Sequence, residues 1–187
     1  MPVTQLDPDT ALIVIDLQKG IMSFPTVHPI ETVLDNAAAL ADAFRRRGLP
    51  IVLVNVDGVA PGRAEAQRHL GDLPPDWTAL APELKRQPQD HVVTKRTWGA
   101  FTGTDLETYL KSRGITQVVV AGVATSAGVE STARHAHELG FNVTLAVDVM
   151  TDTAPEAHDN SVKFIFPIIG ETGTTQAIIA LLANETA

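Results

Sequence analysis

Gln117–Ala136 reads QVVVAGVATSAGVESTARHA. Gln117–Gly122 is apolar without alternation, the pattern of a strand buried on both faces. A small-residue turn follows at once. Over Thr125–Gly140, Val129, Ala133, Ala136, Leu139 and Gly140 then fall on one helical stripe. In a parallel sheet, a strand that turns straight into a helix aims backbone N–H groups and one side chain at the crevice beyond the strand ends. The place where that turn would present a nucleophile is occupied by Gly128, and the chain contains no cysteine.

The same alternation of buried strand and helix runs outward in both directions. Thr10–Asp16 is a second unbroken apolar strand. Pro29–Gly48 is an amphipathic helix closed by glycine. Pro50–Val56 and His91–Lys95 are strands, separated by a long excursion over Asp57–Asp90 of the kind that is usually functional or mobile. Thr104–Gly114 is a helix with Thr104 capping it, Asn142–Val147 a strand, and Pro155–Phe166 a helix. Pro167–Gly170 is read as a short last strand and Thr174–Ala183 as the closing helix. This order gives an α/β fold, a parallel doubly wound sheet with helices on both faces. No linker or repeat divides it, so residues 1–187 are expected to form a single domain.

Composition narrows the function. With 14 basic and 22 acidic residues the net charge is −8, and Arg45-Arg46-Arg47 is the largest basic cluster. That triplet ends a helix, where cations favour the helix dipole. Nucleic acid and anionic membranes are therefore not expected partners. The absence of cysteine excludes disulfides, thiolate metal sites and thiol catalysis. The N-terminus lacks the pattern of a signal peptide, and a cytoplasmic location is the default expectation.

In doubly wound sheets ligands bind at the carboxyl ends of the strands. Asp16 ends one strand, Lys95 ends another, and Thr125-Ser126 follow a third. An acid, an ammonium and a helix N-terminus thus share one rim. Each taken alone reads as a turn cap or a solvated strand end; their joint placement favours a site, because an unpaired charge just past a buried strand is costly. Phe24, Trp98 and Phe101 fall in loops near that rim as a candidate wall, for which plain packing is the competing reading. Asn55, Asp57 and Arg63 are further candidate substrate contacts, with Asp57 and Arg63 reading more simply as solvated loop residues.

The blocks ALIVIDLQ, VVTKRTWGAFTGTDL, VVVAGVATSAGVESTARHAHELGFNVTLAVD and FPIIGETGTT resemble the isochorismatase-like hydrolases, also called the cysteine hydrolase family. The resemblance covers nearly the whole chain. It implies a three-layer α/β/α sandwich around a six-stranded parallel sheet. It also implies an Asp-Lys-Cys catalytic set, matched here by Asp16, Lys95 and the position of Gly128. A non-proline cis peptide between Val123 and Ala124 is implied too, presenting the N–H groups of Ala124 and Gly128 as an oxyanion-type donor pair.

The glycine changes the chemistry that the resemblance allows. Without a thiol the acyl-enzyme route is closed. Isochorismatases resemble the chain here, since they also carry glycine and cleave a vinyl ether with the Asp as general acid and water as the second reactant. They usually place a Tyr-Ala-His-like sequence before that glycine, whereas this chain has Ala124-Thr125-Ser126, which looks more like the amide-cleaving branch. Three functions follow: Asp-dependent hydrolysis of an isochorismate-type enol ether, amide hydrolysis by activated water, or ligand binding on a silent scaffold. Thr125 and Ser126 enter as substrate contacts.

No cofactor or metal is expected. His135 and His137 lie two apart on a helix and face different directions. The region NVDGVAPGR offers Asp57 with no histidine until His69, unlike the metal-binding nicotinamidase branch. A small-molecule substrate is the expected partner, and the resemblance implies a homodimer or higher homo-oligomer.

Overall fold

Strand β1 (Thr10–Ile15) runs between β2 (Ile51–Val56) and β4 (Gln117–Val123), in parallel with both. Outside β2 lies β3 (His91–Lys95), and outside β4 lie β5 (Asn142–Thr151) and β6 (Glu171–Gly173). The structure is a computed structural model describing residues 2–65 and 73–184; His69 lies outside the described residues. The six-stranded sheet has the order β3-β2-β1-β4-β5-β6, and every pairing in it is parallel. The winding therefore reverses between β1 and β4, and a crevice opens where their carboxyl ends diverge.

Two cores cover the sheet, because alternate residues of each strand point to opposite faces. Leu12, Val14, Leu53, Val119 and Ala121 pack on one face against α2 (Ile30–Arg46) and α7 (Thr175–Asn184). Ile13, Ile15, Val52, Val54, Val118 and Val120 pack on the other against α3 (Leu106–Ser112) and α4 (Glu130–Glu138). Burial on both faces explains why the strands read as unbroken apolar runs. The short helix α1 (Lys19–Met22) and the helices α5 (Pro155–Asn160) and α6 (Phe166–Ile169) complete the framework. No described helix is long and apolar enough to cross a membrane.

Three departures from the sequence reading have local causes. The run Pro167–Gly170 is not a strand: Phe166–Ile169 is helical and the last strand is Glu171–Gly173. The widened, π-type turn Ser161–Ile165 ends two residues before Pro167, whose ring clashes with a regular helical carbonyl four residues back. β5 continues to Thr151 through a register shift opposite Val120/Gly122. Asp148 in that extension caps α7, its Oδ1 accepting the Thr175 N–H at 2.7 Å. Thirdly, the helix after β4 opens as a π-type turn over Thr125–Val129 before α4 begins.

Gly122 shows why a small residue is needed at the end of β4. Its φ is +118°, and a Cβ there would lie 2.0 Å from the Ile15 carbonyl oxygen. Only glycine lets β4 approach β1 this closely just before the turn.

Candidate active site

Asp16 leaves β1 with φ 50°, a left-handed conformation that Asp tolerates better than most residues. Its N–H still bonds to the Val54 carbonyl at 2.9 Å, so β2 fixes the start of the turn. From the end of β3, Lys95 reaches across and donates from Nζ to Asp16 Oδ2 at 2.7 Å and to the Thr97 carbonyl at 3.2 Å. Asp16 is 5% and Lys95 2% exposed. Burial pushes the Asp16 carboxyl up to about 6, against the opposing pull of Lys95. The outcome follows from the competition: desolvation penalises the carboxylate more than one ammonium repays. Among the described residues the buried Asp16 Oδ1 has no hydrogen-bond partner, so capacity to hold a proton is left on that oxygen.

Gly128 sits in the π-type turn, in contact range of the pair. A Cβ built there would lie 3.3 Å from Asp16 Oδ2 and 2.9 Å from Ile15 Cγ2. The position at which the resemblance implies a nucleophile is thus directly beside Asp16. The peptide between Val123 and Ala124 is cis, as the resemblance implied. Val129 N–H bonds back to the Ala124 carbonyl at 3.2 Å and Thr132 Oγ1 donates to the Gly128 carbonyl at 2.7 Å, which fixes the turn from within.

A cavity of about 130 Å³ opens over these groups. Asp16, Lys95, Ala124 and Gly128 line it, and Ile21, Phe24, Val56, Trp77, Trp98 and Val123 give it a largely apolar wall. Phe24 and Trp98 therefore stand where the sequence placed them, with Trp98 67% exposed at the rim. Three other candidates stand elsewhere. Asn55 shares its face of β2 with Leu53, donates to the Thr78 carbonyl at 3.1 Å and lines a different cavity. Phe101 is core, stacked against Phe141 at 6.3 Å and tilted against His135 at 5.2 Å. Thr125 is fully buried behind the turn, its Oγ1 donating to the Thr151 carbonyl at 3.0 Å.

That last bond settles a tautomer. With the Thr125 proton engaged, the His158 Nδ1 at 2.9 Å is the donor to Thr125 Oγ1. Burial, then the neighbouring His28, holds His158 below its usual pKa, which favours this neutral form. Ser126 lines the adjoining cavity and not the one over Asp16, and its N–H donates to Asp152 Oδ2 at 2.7 Å. Asp57 pairs with Arg96 at 2.9 Å, while Arg63 is exposed. Among the described residues, no three His, Asp or Glu side chains converge as a metal site would require.

The sequence reading missed the support of the apolar wall. Gln18 is fully buried and stitches β2 to the long excursion. Its Nε2 donates to the Val56 and Trp77 carbonyls at 3.0 and 2.9 Å, and its Oε1 accepts the Val56 N–H at 2.6 Å. Trp77 Nε1 in turn donates to the Val56 carbonyl at 2.9 Å, and its ring meets Phe24 edge-on at 6.2 Å. Gly20 makes room: a Cβ there would lie 2.2 Å from Trp77 Cδ2. Lys19 and Asp76 form an exposed ion pair across the same junction. A lone Gln after the acid and a Gly in a short helix were the available signals.

Comparison with known proteins bears on the fold and the family. The model of the isochorismatase domain matches residues 10–177. The isochorismatase family protein YwoC of Bacillus subtilis is 43% identical over 177 residues, covering 91% of this chain and 92% of that protein. Streptothricin hydrolase of Streptomyces noursei is 35% identical, over 81% of this chain and 53% of that longer protein. Among solved structures, an isochorismatase family protein from Burkholderia thailandensis superposes with a TM-score of 0.91 at 40% identity, covering 96% of this chain and 98% of that one. The N-carbamoylsarcosine amidase of Thermoplasma acidophilum superposes with a TM-score of 0.73 at 25% identity, covering 89% and 96%. Matched by the family model over most of its length and 43% identical to a relative that it covers almost completely, the chain belongs to the isochorismatase family.

Proposed function

We propose that this protein hydrolyses an enol ether of a small molecule without a covalent intermediate, using Asp16 as the proton donor. The observation that carries this reading is the Asp16 carboxyl, raised to about 6 in a largely apolar cavity, with one oxygen on Lys95 and the other without a partner among the described residues. A carboxylic acid that keeps its proton near working pH is what general acid catalysis needs. In the proposed reaction Asp16 delivers its proton to the terminal vinyl carbon, and the C=C electrons form the new C–H bond. Water adds to the resulting oxocarbenium carbon and returns a proton to the Asp16 carboxylate. The hemiketal then collapses to a ketone and an alcohol. The glycine at 128 leaves no side chain between the acid and the substrate.

A second reading, amide hydrolysis by water that Asp16 deprotonates, is supported by similarity to amide-cleaving relatives such as nicotinamidase 3 of Arabidopsis thaliana, 29% identical over 163 residues. Turnover of enol ethers and of simple amides, wild type beside Asp16→Asn, tests both. The expected result is enol-ether hydrolysis that falls at least about 100-fold in the variant, with circular dichroism unchanged. Undiminished turnover in Asp16→Asn overturns either reading.

A further inference from the structure

Two segments carry working groups of the cavity, and one hydroxyl lies between them. The end of β3 and the loop after it hold Lys95 and Trp98, while the turn after β4 holds Ala124 and Gly128. Thr132, near the start of α4 and fully buried, touches both segments. Its Oγ1 accepts the Ala100 N–H at 3.0 Å and donates to the Gly128 carbonyl at 2.7 Å. The donation is the back-bond to residue i−4 that a helical threonine commonly makes. The acceptance reaches across to a different loop.

These two bonds join shorter runs into one series. Thr97 Oγ1 donates to the Gly99 carbonyl at 2.9 Å, and the N–H of that same peptide group, on Ala100, goes on to Thr132. Past Thr132, the Gly128 carbonyl shares its peptide group with the Val129 N–H, which donates to the Ala124 carbonyl at 3.2 Å. Every donor points the same way, from the β3 loop to Ala124. Hydrogen bonds aligned like this polarise and strengthen one another. At the head of the series the Thr97 carbonyl accepts from Lys95 Nζ at 3.2 Å. The series thus starts at the partner of the acid and ends in the turn beside it. Thr132 is the link between the segments, and losing its hydroxyl would strip a buried N–H and a buried carbonyl of this partner, which is costly.

We infer that Thr132 is a positioning residue. Its hydroxyl clamps the segment that carries Lys95 and Trp98 to the turn that carries Ala124 and Gly128, and so fixes the register between the acid pair and the glycine. It acts through these segments and does not line the cavity itself. The position needs one acceptor and one donor on a single atom, which serine also offers and valine does not. The kinetic consequence rests on the proposed hydrolysis, whereas the clamp is testable without turnover.

Thr132→Val keeps the shape and removes the hydroxyl, while Thr132→Ser keeps the hydroxyl. In the valine variant kcat should fall about tenfold or more, and in the serine variant it should stay within about twofold of wild type. The midpoint of the pH–rate profile should rise in the valine variant alone, because a displaced Lys95 lowers the Asp16 pKa less. A change confined to stability would leave that midpoint in place. Amide hydrogen exchange followed by NMR reads the clamp directly. In the wild type the Ala100 N–H should be protected at least about 100-fold relative to an unfolded chain. The valine variant should speed its exchange about tenfold or more while the central strand β1 keeps its protection. A freely exchanging Ala100 amide in the wild type overturns the inference whether or not either variant folds. So does an unchanged kcat with an unmoved midpoint in a folded valine variant, or a serine variant as impaired as the valine one. A wild type that turns over neither enol ethers nor amides would instead overturn the proposed function and leave the exchange result to decide the clamp.

Discussion

Lys95 Nζ lies 2.7 Å from Asp16 Oδ2, and the two residues come from strands separated by a third. Both side chains are buried at the carboxyl ends of their strands, Asp16 5% and Lys95 2% exposed, so neither partner can retreat to water. Its protonation behaviour is therefore set by the fold.

A pH profile follows directly. As a general acid Asp16 must be protonated, so kcat/KM should be level below about pH 6 and fall tenfold per unit above it. Water activation by the carboxylate would give the opposite limb, rising to a plateau above the same point. Stability carries the same sign. Because the folded-state pKa is raised from 3.8 to about 6, the native protein binds more protons than the unfolded chain within that window. Stability should fall as pH rises through it, by about 3 kcal/mol. Chemical denaturation of wild type and Asp16→Asn across pH 4–7 isolates the term; parallel curves would refute it.

Lys95→Met removes the influence that lowers the Asp16 pKa while keeping the buried stem. The midpoint of the pH–rate profile should then move upward by at least about one unit, which kinetics on the folded variant would reveal. An unmoved midpoint would mean that the two groups are not electrostatically linked.

Gly128→Cys should place a thiol beside Asp16, since the new Cβ lies 3.3 Å from Asp16 Oδ2. Alkylation by iodoacetamide at neutral pH should outpace that of an exposed control, Ser112→Cys, by about tenfold or more, and slow when combined with Asp16→Asn. The gain has a cost, because the Cβ also approaches Ile15 Cγ2 to 2.9 Å. Overpacking of about 1–3 kcal/mol should appear as a lowered melting temperature.

Gly20→Ala tests the apolar wall from outside the acid pair. Its methyl would collide with the Trp77 ring and push the indole out of the cavity. KM should rise several-fold with little change in kcat, because a binding surface is lost and the acid is not. A red shift in tryptophan emission would accompany it. Unaltered KM and emission would show that Trp77 does not shape the site.

Much of this was legible before any coordinates. β1 and β4 announced themselves as unbroken apolar runs because both faces of the sheet are covered, and Asp16 and Lys95 stood out as charges where such runs end. Pro167 misled for a physical reason: Pro167–Gly170 is apolar enough for a strand, while the helix Phe166–Ile169 follows a widened turn that local pattern does not announce. Asn55 was misplaced because strand alternation turns it toward the segment around Thr78, away from the acid. Gln18, Gly20 and Trp77 were illegible as a group, since their meaning lies in contacts between segments more than fifty residues apart. Thr125 and Phe101 sit near the rim in sequence but face the interior, a distinction that local pattern does not carry.

The independent anchoring of the acid pair has an evolutionary consequence. Asp16 is fixed from β1 and β2 and Lys95 from β3, and no hydrogen bond that positions either passes through residue 128. A single codon at that position can therefore add or remove a thiol while the proton-handling apparatus stays assembled. Under the proposed mechanism, covalent and water-mediated hydrolysis are neighbours in mutational space, separated by one side chain and the accommodation of Ile15.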